Sequence, residues 1–291
     1  MHAFVGYLVS GLANGSVYGL LAMAAILVFK ASRTANFAIG ETGTFSAFAL
    51  YAAVVTVTRL PYWVGLLVAL VAGAAVALAT EAIITRNVRS ALLVLIGTLG
   101  ISDVITGINT VLWSKGEPYQ EPSFPQLPDV SLGGVGISGQ YLSIFAAVVV
   151  ICLLLYFLLE HTGFGLNVRA AAEDRDLAAL AGVNVRRCVM VMWAAGGALA
   201  AVAAVLVAPL SALNVGLMTP LLFNGYAAGI LGGLDRLPGG LVGGLGLGVA
   251  SSLIGGYISS TAEDAILFAV LIVLLSVRPN GLLGRRVVQK V

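Results

Sequence analysis

A chain of 291 residues that is 59% hydrophobic and 10% charged, with a mean hydropathy of +1.03, cannot be wrapped in a water-facing surface. Soluble domains carry roughly 25% charged residues, so the composition excludes them and specifies an all-α polytopic membrane protein, a single transmembrane domain over 1–291. The net charge of +2 is spread through short loops and points to no nucleic acid.

A helix that crosses the hydrocarbon needs about 20 apolar residues. On that criterion spans are expected near 4–29, 42–58, 62–84, 91–113, 140–160, 188–210, 221–234, 239–258 and 263–277. The stretch at 221–234 is too short to cross unaided, so the reading is nine spans, or eight with a re-entrant segment. The first span has no Lys or Arg before Lys30 and is too long for a signal-peptide core. It should remain as a transmembrane helix. Asn14, Ser16 and Tyr18 interrupt it; Asn14 and Tyr18 share a face at i, i+4 and are placed to line a path. Gly11, Gly15 and Gly19 form a second face suited to close helix packing. Asn36 and Glu41 bracket the start of the second span, where the helix dipole favours a carboxylate. Local capping is the simpler account of both, and lining a path is the other. Asp103 falls near the middle of the fourth span, where a charge is costly unless paired or hydrated. It is either a site residue or an aspartate hydrogen-bonded near Ser102 or Thr106. Segment 114–139, with Pro118, Pro122, Pro125 and Pro128, is the one candidate extracytoplasmic loop. The series Gly239, Gly240, Gly243, Gly244 and Gly248 reads as helix packing rather than ligand contact.

No metalloprotease, serine-hydrolase or phosphate-binding-loop signature is present, and His2 and His161 are isolated. Cys152 and Cys188 suggest neither a disulfide framework nor a metal site. The chain reads as a transport subunit without catalytic residues, metal or cofactor of its own; if ATP drives it, the ATPase lies on another chain.

Residues 160–187 are a charged island between two apolar spans. Glu160, Arg169, Glu173, Asp174, Arg175, Asp176, Arg186 and Arg187 supply 8 of the 28 Lys, Arg, Asp and Glu residues. If this loop is cytoplasmic, alternation puts 13 of the 15 Lys and Arg on the same side and leaves Arg59 and Lys115 outside. The positive-inside rule then sets the N-terminus outside and the C-terminus in the cytoplasm. Within the island a helix is expected over 167–182. Ala170, Leu177, Leu180 and Ala181 fall within about 60° of Leu166 on a helical wheel, Glu173 shares that stripe, and Arg175 opposes it. Gly182 supplies the stop. From the residues alone, such a helix either lies on lipid headgroups or sits in a partner's groove.

The run Arg169-Ala-Ala-Ala-Glu173-Asp-Arg-Asp-Leu-Ala-Ala-Leu-Ala-Gly182-Val-Asn184 resembles the cytoplasmic coupling segment of ABC importer permeases of the branched-chain amino-acid type. Trp193–Ala203, the blocks Gly15–Leu20 and Asn36–Glu41, and the ending Pro279–Arg286 are similar to the same family, specifically its LivH-type subunit. The run Thr85-Arg-Asn-Val-Arg89 and the acidic Asp103 depart from the family pattern. The resemblance implies alternating access driven by two ATPase subunits that bind ATP-Mg, a homologous LivM-type second permease and an extracytoplasmic solute-binding protein. It also implies a multi-pass location in the plasma (inner) membrane of a prokaryote. Arg169, Glu173, Asp174, Arg175, Asp176, Leu177 and Gly182 would then couple to the ATPase. Asn14, Ser16, Tyr18, Asn36, Glu41 and Asp103 are the candidates for the solute path. The rivals are an ion-coupled secondary transporter of small polar solutes and a non-transporting scaffold or sensor. The first would need ion-binding groups at the midplane; the second would more often carry a sizeable soluble domain.

Overall fold

The computed structural model describes residues 2–57, 59–85, 87–88, 90–116, 118–122, 128–132, 135–234, 236–278 and 281–282. Arg86 and Arg89, positions 123–127 of the 114–139 segment, and the ending at 279–280 and 283–291 lie outside them.

Each of the nine predicted spans coincides with a helix. These are α1 (His2–Ser32), α2 (Ile39–Tyr51), α3 (Tyr62–Thr80), α4 (Ala91–Trp113) and α5 (Gly139–Glu160), then α8 (Val185–Ser211), α9 (Thr219–Gly232), α10 (Leu237–Tyr257) and α11 (Glu263–Val277). Wider π turns, Ala52–Thr56 and Glu81–Thr85, continue α2 and α3. Six of the described helices are long and apolar enough to cross a membrane: α1, α3 with its π turn, α4, α5, α8 and α10. The other three, α2, α9 and α11, have 13, 14 and 15 residues. At about 1.5 Å per residue α9 and α11 fall short of a hydrocarbon core of about 30 Å, while α2 with its π turn runs from Ile39 to Thr56; length alone does not establish that all nine cross.

Within segment 114–139, β1 (Val130–Leu132) pairs antiparallel with β2 (Val135–Ile137). One expectation is corrected. The island is not one helix over 167–182 but two, α6 (Gly163–Glu173) and α7 (Arg175–Leu180). Asp174 breaks it with extended backbone (φ −147°, ψ 116°), and its Oδ1 accepts from the amides of Asp176 at 2.9 Å and Leu177 at 3.0 Å. A short acidic side chain satisfies a helix N-terminus better than a helix interior, so Asp174 restarts the helix instead of continuing it.

The chain divides into two compact units. One comprises residues 1–26, 125–145 and 220–291. Its core gathers Tyr18, Ala22, Ala227, Ala228, Leu247, Leu267 and Leu271. Here the glycine faces of α1 and α10 meet as the sequence leads one to expect. A Cβ on Gly244 would lie 2.4 Å from the Gly19 nitrogen, and one on Gly248 would lie 2.3 Å from the Gly15 Cα. Backbone contact this close replaces the hydrophobic drive that lipid cannot provide.

The other unit comprises 27–124 and 146–219. Helices α2, α3 and α8 pack around Leu50, Ala69 and Val205. Gly73 and Gly197 let α3 and α8 touch: a Cβ on Gly197 would lie 2.2 Å from the Gly73 carbonyl oxygen. Helix α8 ends at Ala212, in a positive-φ conformation (59°), and leads into Leu213. That residue exchanges two 2.9 Å backbone hydrogen bonds with Tyr119 of the 114–139 segment.

Candidate functional site

The most concentrated buried polar group surrounds Glu41 at the start of α2. Asn36 Oδ1 accepts from the Ala38 amide at 3.0 Å and forms the turn that launches the helix. The Phe37 amide donates to Thr98 Oγ1 of α4 at 3.2 Å, which fixes this end of α2 against α4. Asn36, buried like Glu41, therefore serves the local turn. Glu41 does not. The helix has no side-chain cap at Ala38, and Thr219 Oγ1, 178 positions away at the start of α9, donates to Glu41 Oε1 at 2.8 Å. Glu41 makes no local capping hydrogen bond, but it lies in the first turn of α2, where the dipole favours a carboxylate; Asn36 caps the turn itself.

Glu41 is 3% exposed. Among the described residues its Oε2 and the hydroxyl of fully buried Thr44 have no hydrogen-bond partner. Thr44, Thr106 and the carboxylate of Asp103 face it. Asp103 is exposed on α4 and is not held by Ser102 or Thr106, since the Thr106 hydroxyl donates to the Ser102 carbonyl at 3.0 Å. Two of the predicted path residues, Glu41 and Asp103, therefore lie on adjoining helices, with their charges close enough to interact. Thr44 and Thr106 each lie three residues beyond one of these acids, a helical spacing legible in the sequence. Thr219 gave no such signal.

The remaining path candidates belong to the other unit. Tyr18 is buried with its hydroxyl facing Asn224 and Ser251, and Ser251 Oγ donates to Glu263 Oε1. Asn14 is half-buried one turn before Tyr18. Ser16 is buried and donates to the Leu12 carbonyl of its own helix at 2.8 Å. Asn224, Ser251 and Glu263 were missed because each looks ordinary in its own segment.

The island is organised by its charges. Thr162 caps α6 by accepting from the Gly165 amide at 3.1 Å, and Arg169 reaches the Leu159 carbonyl and, at 2.7 Å, Glu160 Oε2. Arg33, just after α1, donates to the Ala172 carbonyl near the end of α6, while Arg175 donates to the Ala31 carbonyl at the end of α1. Gly182 takes φ +83° where α7 stops, and Asn184 caps α8 through the Arg187 amide at 3.0 Å. Arg169, Asp174, Arg175 and Gly182 thus shape the loop itself. Glu173, Asp176 and Leu177 are exposed. Leu166, Leu177 and Leu180 are 61%, 64% and 84% exposed, so the predicted apolar stripe faces outward, while Val168, Ala171 and Ala178 point into the fold.

Beside segment 114–139, Phe48 stacks on Trp113 with ring centroids 5.3 Å apart. Tyr51 and Tyr119 close this aromatic group. Two residues after Tyr119, Glu121 is buried without a hydrogen-bond partner for either oxygen among the described residues. Burial pushes its carboxyl well above the usual carboxylate range. Among the described residues no group of three or more His, Cys, Asp or Glu could hold a metal ion.

The family model described as "Branched-chain amino acid transport system / permease component" matches residues 7–275. The high-affinity branched-chain amino acid transport system permease protein LivH of Escherichia coli K12 is 30% identical, over 99% of this chain and 98% of its own length. BraD of Pseudomonas aeruginosa, described in the same terms, is 30% identical over 100% and 99%. A probable LivH of Methanocaldococcus jannaschii is 28% identical over 91% and 88%. Likeness to a solved complex, PsaBC of Streptococcus pneumoniae with Fab, is distant and carries no weight: TM-score 0.44 and 14% identity, over 95% of this chain and 94% of that one. With a family model spanning most of its residues and relatives aligned end to end, the chain belongs to the branched-chain amino acid transport permease family.

Proposed function

We infer that this chain is the membrane-spanning permease subunit of an ATP-binding-cassette importer whose solutes are branched-chain or related small amino acids. The observation that carries this is the end-to-end match to LivH and BraD. The permease makes and breaks no bonds in this reading. ATP-Mg is bound and hydrolysed on two partner subunits, a solute-binding protein delivers cargo to the outer face, and a LivM-type permease completes the pair. The chain resides in the inner membrane of a prokaryote with its N-terminus outside and its C-terminus in the cytoplasm. This orientation is supported by 13 of 15 Lys and Arg falling on one side.

The exposed leucines of α6 and α7, flanked by Glu173 and Asp176, are the surface offered to the ATPase. Apolar anchors rimmed by charge suit a protein groove, where charge sets register and apolar burial gives affinity. An ion-coupled transporter is the second reading, favoured by the facing carboxylates of Glu41 and Asp103. The test is uptake of L-leucine into proteoliposomes holding the assembled complex. Uptake that requires internal ATP and survives an ionophore is expected; uptake abolished by the ionophore and indifferent to ATP would overturn the importer reading.

A further inference from the structure

We propose that Glu41 and Asp103 form the subsite that receives the ammonium group of the transported amino acid. This deepens the transport reading above and rests on it. Glu41 is 3% exposed; one oxygen accepts from Thr219, and the hydroxyls of Thr44 and Thr106 stand beside the carboxylate without completing a hydrogen bond to its other oxygen. The groups that face it are hydroxyls and a second carboxylate, with no lysine, arginine or histidine among them. A buried, acceptor-rich site of this kind needs its positive complement from outside the chain's own described side chains.

The chemistry narrows the complement. A divalent cation such as calcium takes six to eight oxygen ligands, and no described cluster of three or more acidic or metal-ligating side chains exists here. An ammonium instead carries three N–H donors and no acceptor. Glu41 Oε2 and the Thr44 hydroxyl oxygen, neither engaged in a hydrogen bond, give it two acceptors, and the Asp103 carboxylate adds a second negative charge on the adjoining helix. The site also has an approach. Asp103 is exposed, and a Cβ on Gly100 or Gly107, one turn to either side of it, would meet nothing within 4 Å. A branched side chain has room beside an ammonium held at Asp103 and passed to Glu41.

The experiment measures L-leucine uptake by the complete complex in proteoliposomes as a function of loaded binding protein, for wild type, Glu41→Gln, Glu41→Asp and Asp103→Asn. The glutamine keeps an acceptor for Thr219 while removing the charge. Both charge-removing variants should lower the maximal rate at least about tenfold with little change in KM, the signature of an interaction made after docking, and Glu41→Asp should keep at least about a third of the rate. Wild-type rates from Glu41→Gln or Asp103→Asn would overturn the proposal. So would Glu41→Asp falling as far as the glutamine, since shape rather than charge would then be at stake. Should Glu41→Gln fail to assemble, Asp103→Asn, whose side chain makes no internal hydrogen bond, decides alone. Replacing external Na+ by choline should leave the wild-type rate unchanged; dependence on Na+ would give the site to an alkali ion and overturn the ammonium assignment. Wild-type uptake that ATP does not drive would overturn the importer reading before any variant is compared.

Discussion

The contact between α1 and α10 sets up a comparison within a single helix. A methyl group added at Gly244 would lie 2.4 Å from the Gly19 nitrogen, 2.5 Å from its Cα and 2.7 Å from the Gly15 carbonyl oxygen. All three are backbone atoms, so no side chain can turn aside. To restore ordinary contact near 3.4 Å the helices must part by about 1 Å, and a gap of that size forfeits a quarter to a half of each dispersion contact along the seam. Overpacking of this kind costs about 1–3 kcal/mol. Gly246, two residues on in the same helix, has nothing within 4 Å of its Cβ position. Alanine there relieves the glycine penalty, about 0.8–1 kcal/mol in a helix interior, and meets no obstacle. In a thermal melt of the detergent-solubilised complex, followed by size-exclusion chromatography, Gly244→Ala should lower the midpoint by roughly 2–12 °C. Gly246→Ala should leave it unchanged or raise it. Equal effects of the two substitutions would refute the claim that close backbone approach, rather than glycine content, holds these helices together.

Three further outcomes are expected. Glu173→Lys and Leu177→Asp, both on the exposed side of the island, should abolish solute-stimulated ATP hydrolysis and co-purification of the ATPase subunits while the permease still inserts; survival of both would place the island on the membrane. A reporter fused after Asp129 should report an extracytoplasmic location and one after Asn184 a cytoplasmic one, and finding them on the same side would overturn the orientation. Burial raises the folded-state pKa of Glu121 above its unfolded value, so its favourable contribution is complete below the unfolded pKa and fades as pH rises through the folded one. Glu121→Gln should therefore melt higher than wild type at pH 8 and gain nothing at pH 4; identical pH profiles would show that Glu121 is not the group responsible.

The membrane helices were legible because the signal is coarse: runs of apolar residues bounded by Arg59-Leu-Pro61 or Asp235-Arg-Leu-Pro238 leave little choice of boundary. The glycine faces were legible for a related reason, since Gly11, Gly15 and Gly19 recur at the period of the helix surface. The island was legible in place but not in form. Its wheel counted Leu166, Leu177 and Leu180 as one continuous stripe, and the cap preference of Asp174 outweighed the propensity of its neighbours to carry the helix on. The candidate site was half legible. A carboxylate in a span announces itself by cost, which marked Asp103, whereas Glu41 sat where a helix dipole could explain it away. The tertiary pairing with Thr219 adds a second role that the sequence does not show.

The same reasoning bears on how the island is held. A helix ends with carbonyls that its own backbone cannot satisfy; α1 ends beside the first residue of α7, and α6 ends beside the residue that follows α1. Arg175, just past the break at Asp174, donates to the Ala31 carbonyl, and Arg33 donates to Ala172. Had the island been one helix over 167–182, residue 175 would have continued the turn of residue 172. The break lets the chain change direction between them, so that one residue accepts from α1's flank while the other donates to its end. Bonds from a charged donor are roughly twice as strong as neutral ones, and two of them act in opposite directions along the chain. Displacing α6 and α7 therefore means either breaking both bonds or moving the end of α1 as well. The irregularity that spoiled the simple helical reading is what ties the loop to the longest helix in the protein.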